Sequence, residues 1–187
     1  MEIIKTGIEG AFVVEPRVFG DKRGYFFESF NAREFAAATG LEVVFVQDNE
    51  SRSRYGVLRG LHFQRPPYAQ SKLVRVVQGR VFDVCVDIRR GSPTFGKFAA
   101  TELSGENHRQ FFVPKGCAHG FCVLSEEAVF QYKCDEFYHP EAEGAIAWDD
   151  PEIGIPWPVP VEDMILSDKD LHHPLLREAA GSPFIFE

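Results

Sequence analysis

Closely spaced turn residues cut this chain into short apolar runs, and that rhythm restricts what it can fold into. Runs with strand character cover residues 12–19, 25–30, 43–47, 56–64, 72–89, 98–103, 110–113, 121–124, 129–137 and 145–148, separated by Gly, Pro, Asn and Asp. The one long run breaks at Gln78-Gly79, which predicts a hairpin turn. A single helix is predicted near the N-terminus. Asn31 can cap it, Glu34 holds the capping-box position, Phe35-Ala36-Ala37-Ala38 favours helix, and Gly40 can end it. Ser167-Asp168-Lys169-Asp170 predicts a short C-terminal helical segment. Many short strands and few helices predict an all-β sandwich or barrel. With 187 residues the chain has the length of one ordinary domain. We therefore read 1–187 as a single unit, with the Pro- and acid-rich stretch from about Asp149 packed onto the barrel.

Composition excludes several functional classes. Hydrophobic residues make up 44% and charged residues 26%, which supports a core and argues against wholesale disorder. No apolar run approaches the ~18 residues of a membrane helix, so no membrane partner is expected. Met1-Glu2-Ile3-Ile4-Lys5 lacks the basic-then-apolar pattern of a secretory signal. A net charge of -8 argues against duplex nucleic acid as a partner. It leaves room for a small phosphorylated ligand held by a local cluster of Arg and Lys. Cys85, Cys117, Cys122 and Cys134 form no Cys-x-x-Cys pair. They are expected to be reduced and mostly buried, consistent with a cytoplasmic protein.

Strand alternation tells which side chains share a face. Tyr132 shares one with Phe130 and Cys134 and is expected to point inward, as a core tyrosine or as a functional phenol. Glu28 shares one with Phe26 and Phe30, where a carboxylate marks a site, an interface or a solvated edge. Lys72 shares one with Val74 and Val76, so it either snorkels outward or meets an anion. In Gly56-Val57-Leu58-Arg59-Gly60-Leu61-His62-Phe63-Gln64, His62 taken alone is as well read as a core residue. Arg59 makes that harder, because arginine is rarely buried without an anion. Strict alternation puts Arg59 and His62 on opposite faces; for both to line one cavity a bulge is needed, and Gly60 is where it could sit. The sequence leaves this open.

Pro114-Lys115-Gly116-Cys117-Ala118-His119 predicts a tight turn with His119 opening the next strand. Pro114, Gly116 and His119 resemble the later motif of the cupin double-stranded β-helix, and Gly56 and His62 resemble the start of the earlier one. The earlier motif then departs. Gln64 stands where a second His is usual, and Lys72 stands at the Glu position, with six residues between it and Gly79. A cupin metal centre needs three His and a carboxylate, and an ammonium in that cage repels a divalent ion. No metal is therefore expected there. An ammonium can instead stabilise a developing oxyanion. With an imidazole beside it and a phenol opposite, the set suits proton abstraction next to a ketone and return from the other face.

Five segments carry a closer resemblance: Val57-Leu58-Arg59-Gly60-Leu61-His62, Lys72-Leu73-Val74-Arg75, Arg90-Gly91-Ser92-Pro93-Thr94-Phe95-Gly96, Ala118-His119-Gly120-Phe121 and Leu166-Ser167-Asp168-Lys169-Asp170. In order, from about Phe12 to Pro174, they resemble the dTDP-4-dehydrorhamnose 3,5-epimerase family. The resemblance implies a cofactor-independent jelly-roll homodimer that inverts C3 and C5 of dTDP-4-dehydro-6-deoxy-D-glucose, a dTDP-4-keto-6-deoxyhexose. It implies His62 as base, Asp170 as the carboxylate that orients it, Tyr132 as general acid and Lys72 near the C4 oxygen. Arg59 and His119 would lie beside the sugar and diphosphate. Arg23, Glu28, Gln47, Asp48, Asn49, Glu143 and Lys169 match substrate-binding positions, with some of the Arg23–Glu28 contacts coming from the partner chain. Asp168 competes with Asp170 as a mere surface charge or cap, and Phe63 stands where Tyr is also common. The 18 Phe residues and the Phe26-Phe27 pair also point to an apolar strand seeking a partner sheet. The alternatives are an epimerase that inverts one carbon, a metal-dependent cupin, and a non-catalytic sugar-nucleotide-binding jelly roll.

Overall fold

Alternation sorts the strand side chains onto two sheets that face each other across one core. The computed structural model describes residues 1–179. Its strands in chain order are β1 (Glu2–Lys5), β2 (Phe12–Glu15), β3 (Phe19–Asp21), β4 (Gly24–Phe26), β5 (Gln47–Arg54), β6 (Leu58–Gln64) and β7 (Lys72–Gln78). They continue as β8 (Arg80–Asp87), β9 (Phe98–Ser104), β10 (Gln110–Val113), β11 (Cys117–Val123), β12 (Glu127–Cys134) and β13 (Glu143–Ala145), with helix α1 (Ala32–Thr39) between β4 and β5. One sheet runs β1-β2-β10-β7-β12-β5 and the other β13-β6-β11-β8-β9, while β3 and β4 form a separate ribbon. Neighbouring strands within each sheet are antiparallel. The expected jelly-roll architecture is present.

Val74, Val76, Phe111 and Phe130 from the first sheet meet Val81, Cys85, Leu103, Phe121 and Val123 from the second. Fully burying each large apolar side chain stabilises by roughly 1.5–3 kcal/mol. Helix α1 covers the outer face of the first sheet, packing Phe35 against Phe12, Leu73 and Phe112. The C-terminal segment covers the second sheet, with Ile146 and Ile153 against Leu61, Val84 and Val86. Strand β8 is thus buried on both faces, which explains its nearly unbroken apolar run. Asn31 caps α1 as expected, accepting from the backbone N–H of Arg33 and Glu34, and Gly40 ends it with φ 74°. All four cysteines are free and buried. The C-terminal helical segment is a single 3₁₀ turn at Asp170–His172.

Several expectations need correction. The turn at Gln78-Gly79 is not a hairpin, because it carries the chain from β7 in one sheet to β8 in the other. The strand expected at 43–47 lies at Gln47–Arg54 instead, in a polar stretch that periodic apolarity does not reveal. It is an edge strand, and its more buried positions Gln47, Asn49, Ser51 and Ser53 alternate with exposed ones. His119 sits inside β11 and does not open it. The run at 25–30 ends as a strand at Phe26, so Glu28 shares no strand face with Phe30. The run at 12–19 divides into β2 and β3, and β1 was not anticipated. Residues 180–187 of the expected single unit lie outside the described residues.

The bulge is present. His119 of β11 pairs with His62 of β6, but two residues later Phe121 pairs with Arg59, three residues back on β6. The extra β6 residue turns Arg59 and His62 toward the same side. Gly60 has φ 143°, and a Cβ built on it would meet the Cα of Gly120 at 2.6 Å. Both crossing strands need glycine here. Gly60→Ala is expected to cost on the order of 2–4 kcal/mol, from strain and overpacking together. Urea denaturation checks this, and a variant as stable as wild type would mean that the strands can part without cost.

Candidate active site

The bulge builds one wall of a cavity between the sheets. His62 on β6 and His119 on β11 are cross-strand partners there. Lys72 and Tyr132 come from the opposite sheet, on β7 and β12. Arg59, His62, Lys72, His119 and Tyr132 line one chamber of about 270 Å³, together with Glu143, Lys169 and Asp170. His62, Lys72, Tyr132 and Glu143 also line an adjoining chamber of about 300 Å³ that adds Gln47 and Asn49.

Two His–Asp pairs anchor the imidazoles. His62 Nε2 lies 2.6 Å from Asp170 Oδ1, and Ser167 Oγ donates to the other carboxylate oxygen at 2.9 Å. His173 also contacts Asp170 Oδ1, at 3.3 Å. Burial pushes the Asp170 carboxyl up, but the bonds from His62, Ser167 and His173 outweigh it and hold the group below the usual carboxylate range. Asp170 is therefore an anion, which only accepts, so His62 Nε2 donates in the 2.6 Å bond. The second pair is His119 Nε2 with Asp83, at 2.9 and 3.1 Å from its two oxygens. Burial raises the Asp83 carboxyl, and His119 and Lys72 only partly offset it.

The opposite wall carries a cation and a phenol. Lys72 Nζ stands 5.9 Å from the centroid of the Tyr132 ring. Burial pushes the Lys72 ammonium below the usual lysine range, against the pull of Cys134, Asp83 and Glu143. Burial and the neighbouring Cys134 raise the Tyr132 phenol, with Arg59 opposing, so Tyr132 keeps its proton at neutral pH. Among the described residues neither Lys72 nor Arg59 has an ion-pair partner, and Arg59 donates only to Ser53 Oγ, at 3.2 Å. Two unpaired cations in a cavity of a chain with net charge -8 mark a place for an anion. At the rim, Glu143 accepts from Lys169 Nζ at 2.6 Å and from Tyr138 at 3.0 Å.

Three of the expected binding residues stand elsewhere in their own chain. Asp48 points to the outer face of its sheet and pairs with Lys133 at 3.0 Å. Arg23 and Glu28 are exposed on or beside the β3–β4 ribbon, where Arg23 pairs with Asp21 and Glu28 accepts from Asn31. Asp168 is exposed and Asp170 buried, which decides between them. Sequence reasoning missed Asp83, although a carboxylate inside the apolar run of β8 was a readable signal. It also missed Tyr138 and His173, which no motif spacing marks.

These donors do not form a cupin metal cage. Gln64 spends its side chain on backbone groups, donating to the carbonyls of Tyr68 at 2.7 Å and Phe137 at 3.0 Å and accepting from the His139 N–H at 2.6 Å. Lys72 fills a further ligand position. The arrangement offers an imidazole on one wall, and a protonated phenol with an ammonium beside it on the other. It can remove a proton beside a carbonyl, hold the resulting enolate oxygen and return a proton from the opposite side.

Comparison with known proteins agrees with this chemistry. Residues 5–178 match the family described as dTDP-4-dehydrorhamnose 3,5-epimerase. The enzyme of that name from Methanothermobacter thermautotrophicus is 56% identical over 176 residues, covering 94% of each chain. The crystal structure of an epimerase from Legionella pneumophila in complex with dTDP-4-keto-L-rhamnose superposes with a TM-score of 0.95, at 50% identity over 100% of this chain and 98% of that one. A 3'-monoepimerase from Streptomyces bikiniensis in complex with dTDP-quinovose is more distant, at 35% identity and a TM-score of 0.89, over 94% of this chain and 88% of that one. With its fold, its paired imidazoles and these relatives in agreement, the chain belongs to the dTDP-4-dehydrorhamnose 3,5-epimerase family.

Proposed function

We propose that this cavity converts dTDP-4-dehydro-6-deoxy-D-glucose to dTDP-4-dehydro-L-rhamnose, inverting C3 and C5 beside the C4 ketone. The observation that carries the reading is the His62–Asp170 pair on one wall with Tyr132 and Lys72 on the other. His62 Nδ1 takes the proton from the carbon next to the ketone, the C–H electron pair forms a double bond to C4, and the C4 carbonyl π pair moves onto the oxygen; the pairs return when the carbon is reprotonated. The Lys72 ammonium holds that enolate oxygen. Tyr132 gives its proton to the carbon from the opposite face, and water later restores both side chains. Desolvation serves this division of labour, since it keeps Tyr132 protonated until the carbanion needs it. Arg59, with His119 beside it, faces the diphosphate and sugar, while Gln47, Asn49, Glu143 and Lys169 line the remaining walls. Neither the scheme nor the donor set calls for a cofactor.

We further infer a homodimer in which Arg23 and Glu28 reach the partner's cavity. Support comes from the β3–β4 ribbon, where Phe19, Tyr25 and Phe26 are 51%, 59% and 66% exposed, a cost that a partner surface would remove. Asp48, on the outer face, has no route to its own chain's cavity and is assigned no contact with the sugar. No helix of the described residues is long and apolar enough to cross a membrane. The four free buried cysteines support a reducing, cytoplasmic setting.

Three outcomes are expected. In deuterated water, His62→Ala should abolish both inversion and solvent exchange at the sugar, with rates down ~10²–10⁴-fold. Tyr132→Phe should lose inversion at one or both carbons yet keep some exchange, because His62 can return a proton on the face it came from. Asp170→Asn should fall between them. NMR of the exchanged carbons reads all three, and exchange surviving in His62→Ala would move the base to the tyrosine wall.

The pH profile gives a second check. Only charged Lys72 can hold the enolate, so kcat/KM should fall as pH rises through the depressed lysine pKa, below the ordinary lysine value of about 10.4. In Lys72→Arg the residual activity should lose that alkaline limb, since guanidinium does not titrate there. An unchanged limb would assign it to another group.

For the dimer, mass in solution should be twice the chain mass of 21.1 kDa. Mixing inactive Arg23→Ala and His62→Ala proteins should restore activity, because the mixed dimer contains one intact site. Failure of a verified mixed dimer to regain turnover would place Arg23 outside the partner's cavity.

A further inference from the structure

One cluster beside the cavity joins the proposed base and its carboxylate to a third side chain, His173. Asp170 Oδ1 contacts two imidazoles, His62 Nε2 at 2.6 Å and His173 Nε2 at 3.3 Å. The two rings meet edge to face, with centroids 5.8 Å apart at 88°. A ligating atom from each of the three residues lies within 4.8 Å of the others, and no other trio of His, Cys, Asp and Glu among the described residues does so. His173 does not line the cavity, and the proton-transfer scheme gives it no role.

We propose that His62, Asp170 and His173 form a binding site for a zinc-class transition-metal ion, and that an ion bound there switches the epimerase off. The donor set is two imidazole nitrogens and one carboxylate oxygen, which suits Zn²⁺ and its neighbours and not Mg²⁺ or Ca²⁺. Tetrahedral zinc with bonds of about 2.0–2.1 Å needs donors roughly 3.3 Å apart. His173 and Asp170 already have that separation, and the His62 ring would have to draw back from its 2.6 Å contact with Asp170. Ser167 Oγ holds Asp170 Oδ2 at 2.9 Å, which leaves Oδ1 for the ion and fixes the carboxylate plane. Entry is open from the cavity side, where the His62 side chain is 31% exposed. Lys169, the adjacent cation in sequence, is itself paired with Glu143. This site uses the Asp170 side of His62, whereas Lys72 and Gln64 spoil the cage on its other side.

The inhibition follows from proton bookkeeping on one ring. In the free enzyme the His62 proton is on Nε2 and the lone pair on Nδ1. An ion that takes Nε2 moves that proton to Nδ1, so the imidazole stays neutral and the base becomes a donor. The shared proton on His173 Nε2 shifts to its other nitrogen in the same way. No oxidant, reductant or bond cleavage is involved. The inhibitory half rests on His62 being the base, and the binding half does not.

The test titrates the purified protein with Zn²⁺ and, as a spectroscopic probe, Co²⁺. One ion per chain, turnover lost on binding and restored by chelator, and paramagnetic shifts of both the His62 and His173 resonances are expected. His173→Asn should need at least about tenfold more Zn²⁺ to lose the same fraction of its own turnover, since a lost ligand costs no less than a lost outer-shell partner. An identical zinc response in that variant would overturn the site. So would Co²⁺ that leaves the wild-type His173 resonance unshifted, a readout that stands even where the variant does not fold. Binding through both imidazoles with undiminished turnover would overturn the switch and count against His62 as base, while leaving the metal site in place.

Discussion

The crossing of Gly60 and Gly120 is the constraint on which the site depends. The two α-carbons are close enough that a Cβ on Gly60 would stand 2.6 Å from the Gly120 Cα. That approach lets β6 carry one residue more than β11 between two paired positions. Without the extra residue, alternation would send Arg59 and His62 to opposite faces, one into the cavity and the other away from it. The proposed base and the cation nearest the expected diphosphate thus share a cavity because two strands can touch backbone to backbone.

Charge is arranged around that crossing in a definite order. Each imidazole has its own buried carboxylate, Asp170 for His62 and Asp83 for His119. Of the cations that line the cavity, Lys169 is paired with Glu143 at the rim, whereas Lys72 and Arg59 have no carboxylate partner among the described residues. Buried anions are therefore spent on orienting rings, and the remaining positive charge is left for a ligand. A lysine desolvated this way is costly in the empty protein, and a cost of that kind persists at functional sites. The same arrangement sets these donors apart from a cupin metal cage: Lys72 supplies the positive charge that an ion would bring, and Gln64 is committed to backbone groups.

Much of this was legible in the chain. The spacing of apolar runs and turns predicted an all-β sandwich or barrel, and Asn31 and Gly40 marked the ends of the only α-helix among the described residues. Inward placement of Tyr132, and of Lys72 on the face of Val74 and Val76, followed from period-two alternation, whereas the surroundings of the Lys72 ammonium came only with the opposite sheet. The departure of Gln64 and Lys72 from the cupin ligand pattern was visible in their chemistry. Strand β5 was not legible, since a polar edge strand that faces a wet cavity carries no apolar rhythm.

What the sequence determined by itself is therefore local: residue type, turn chemistry and the face of a regular strand. Only the tertiary structure decided the rest. It carried the chain across from one sheet to the other at Gly79, placed the bulge at Gly60, brought Asp83 beneath His119, and set Asp170 of the distant C-terminal turn against His62. The physical reason is that each of these depends on a partner far along the chain. A bulge exists only relative to the strand it pairs with, and the state of a carboxylate only relative to what buries it and donates to it.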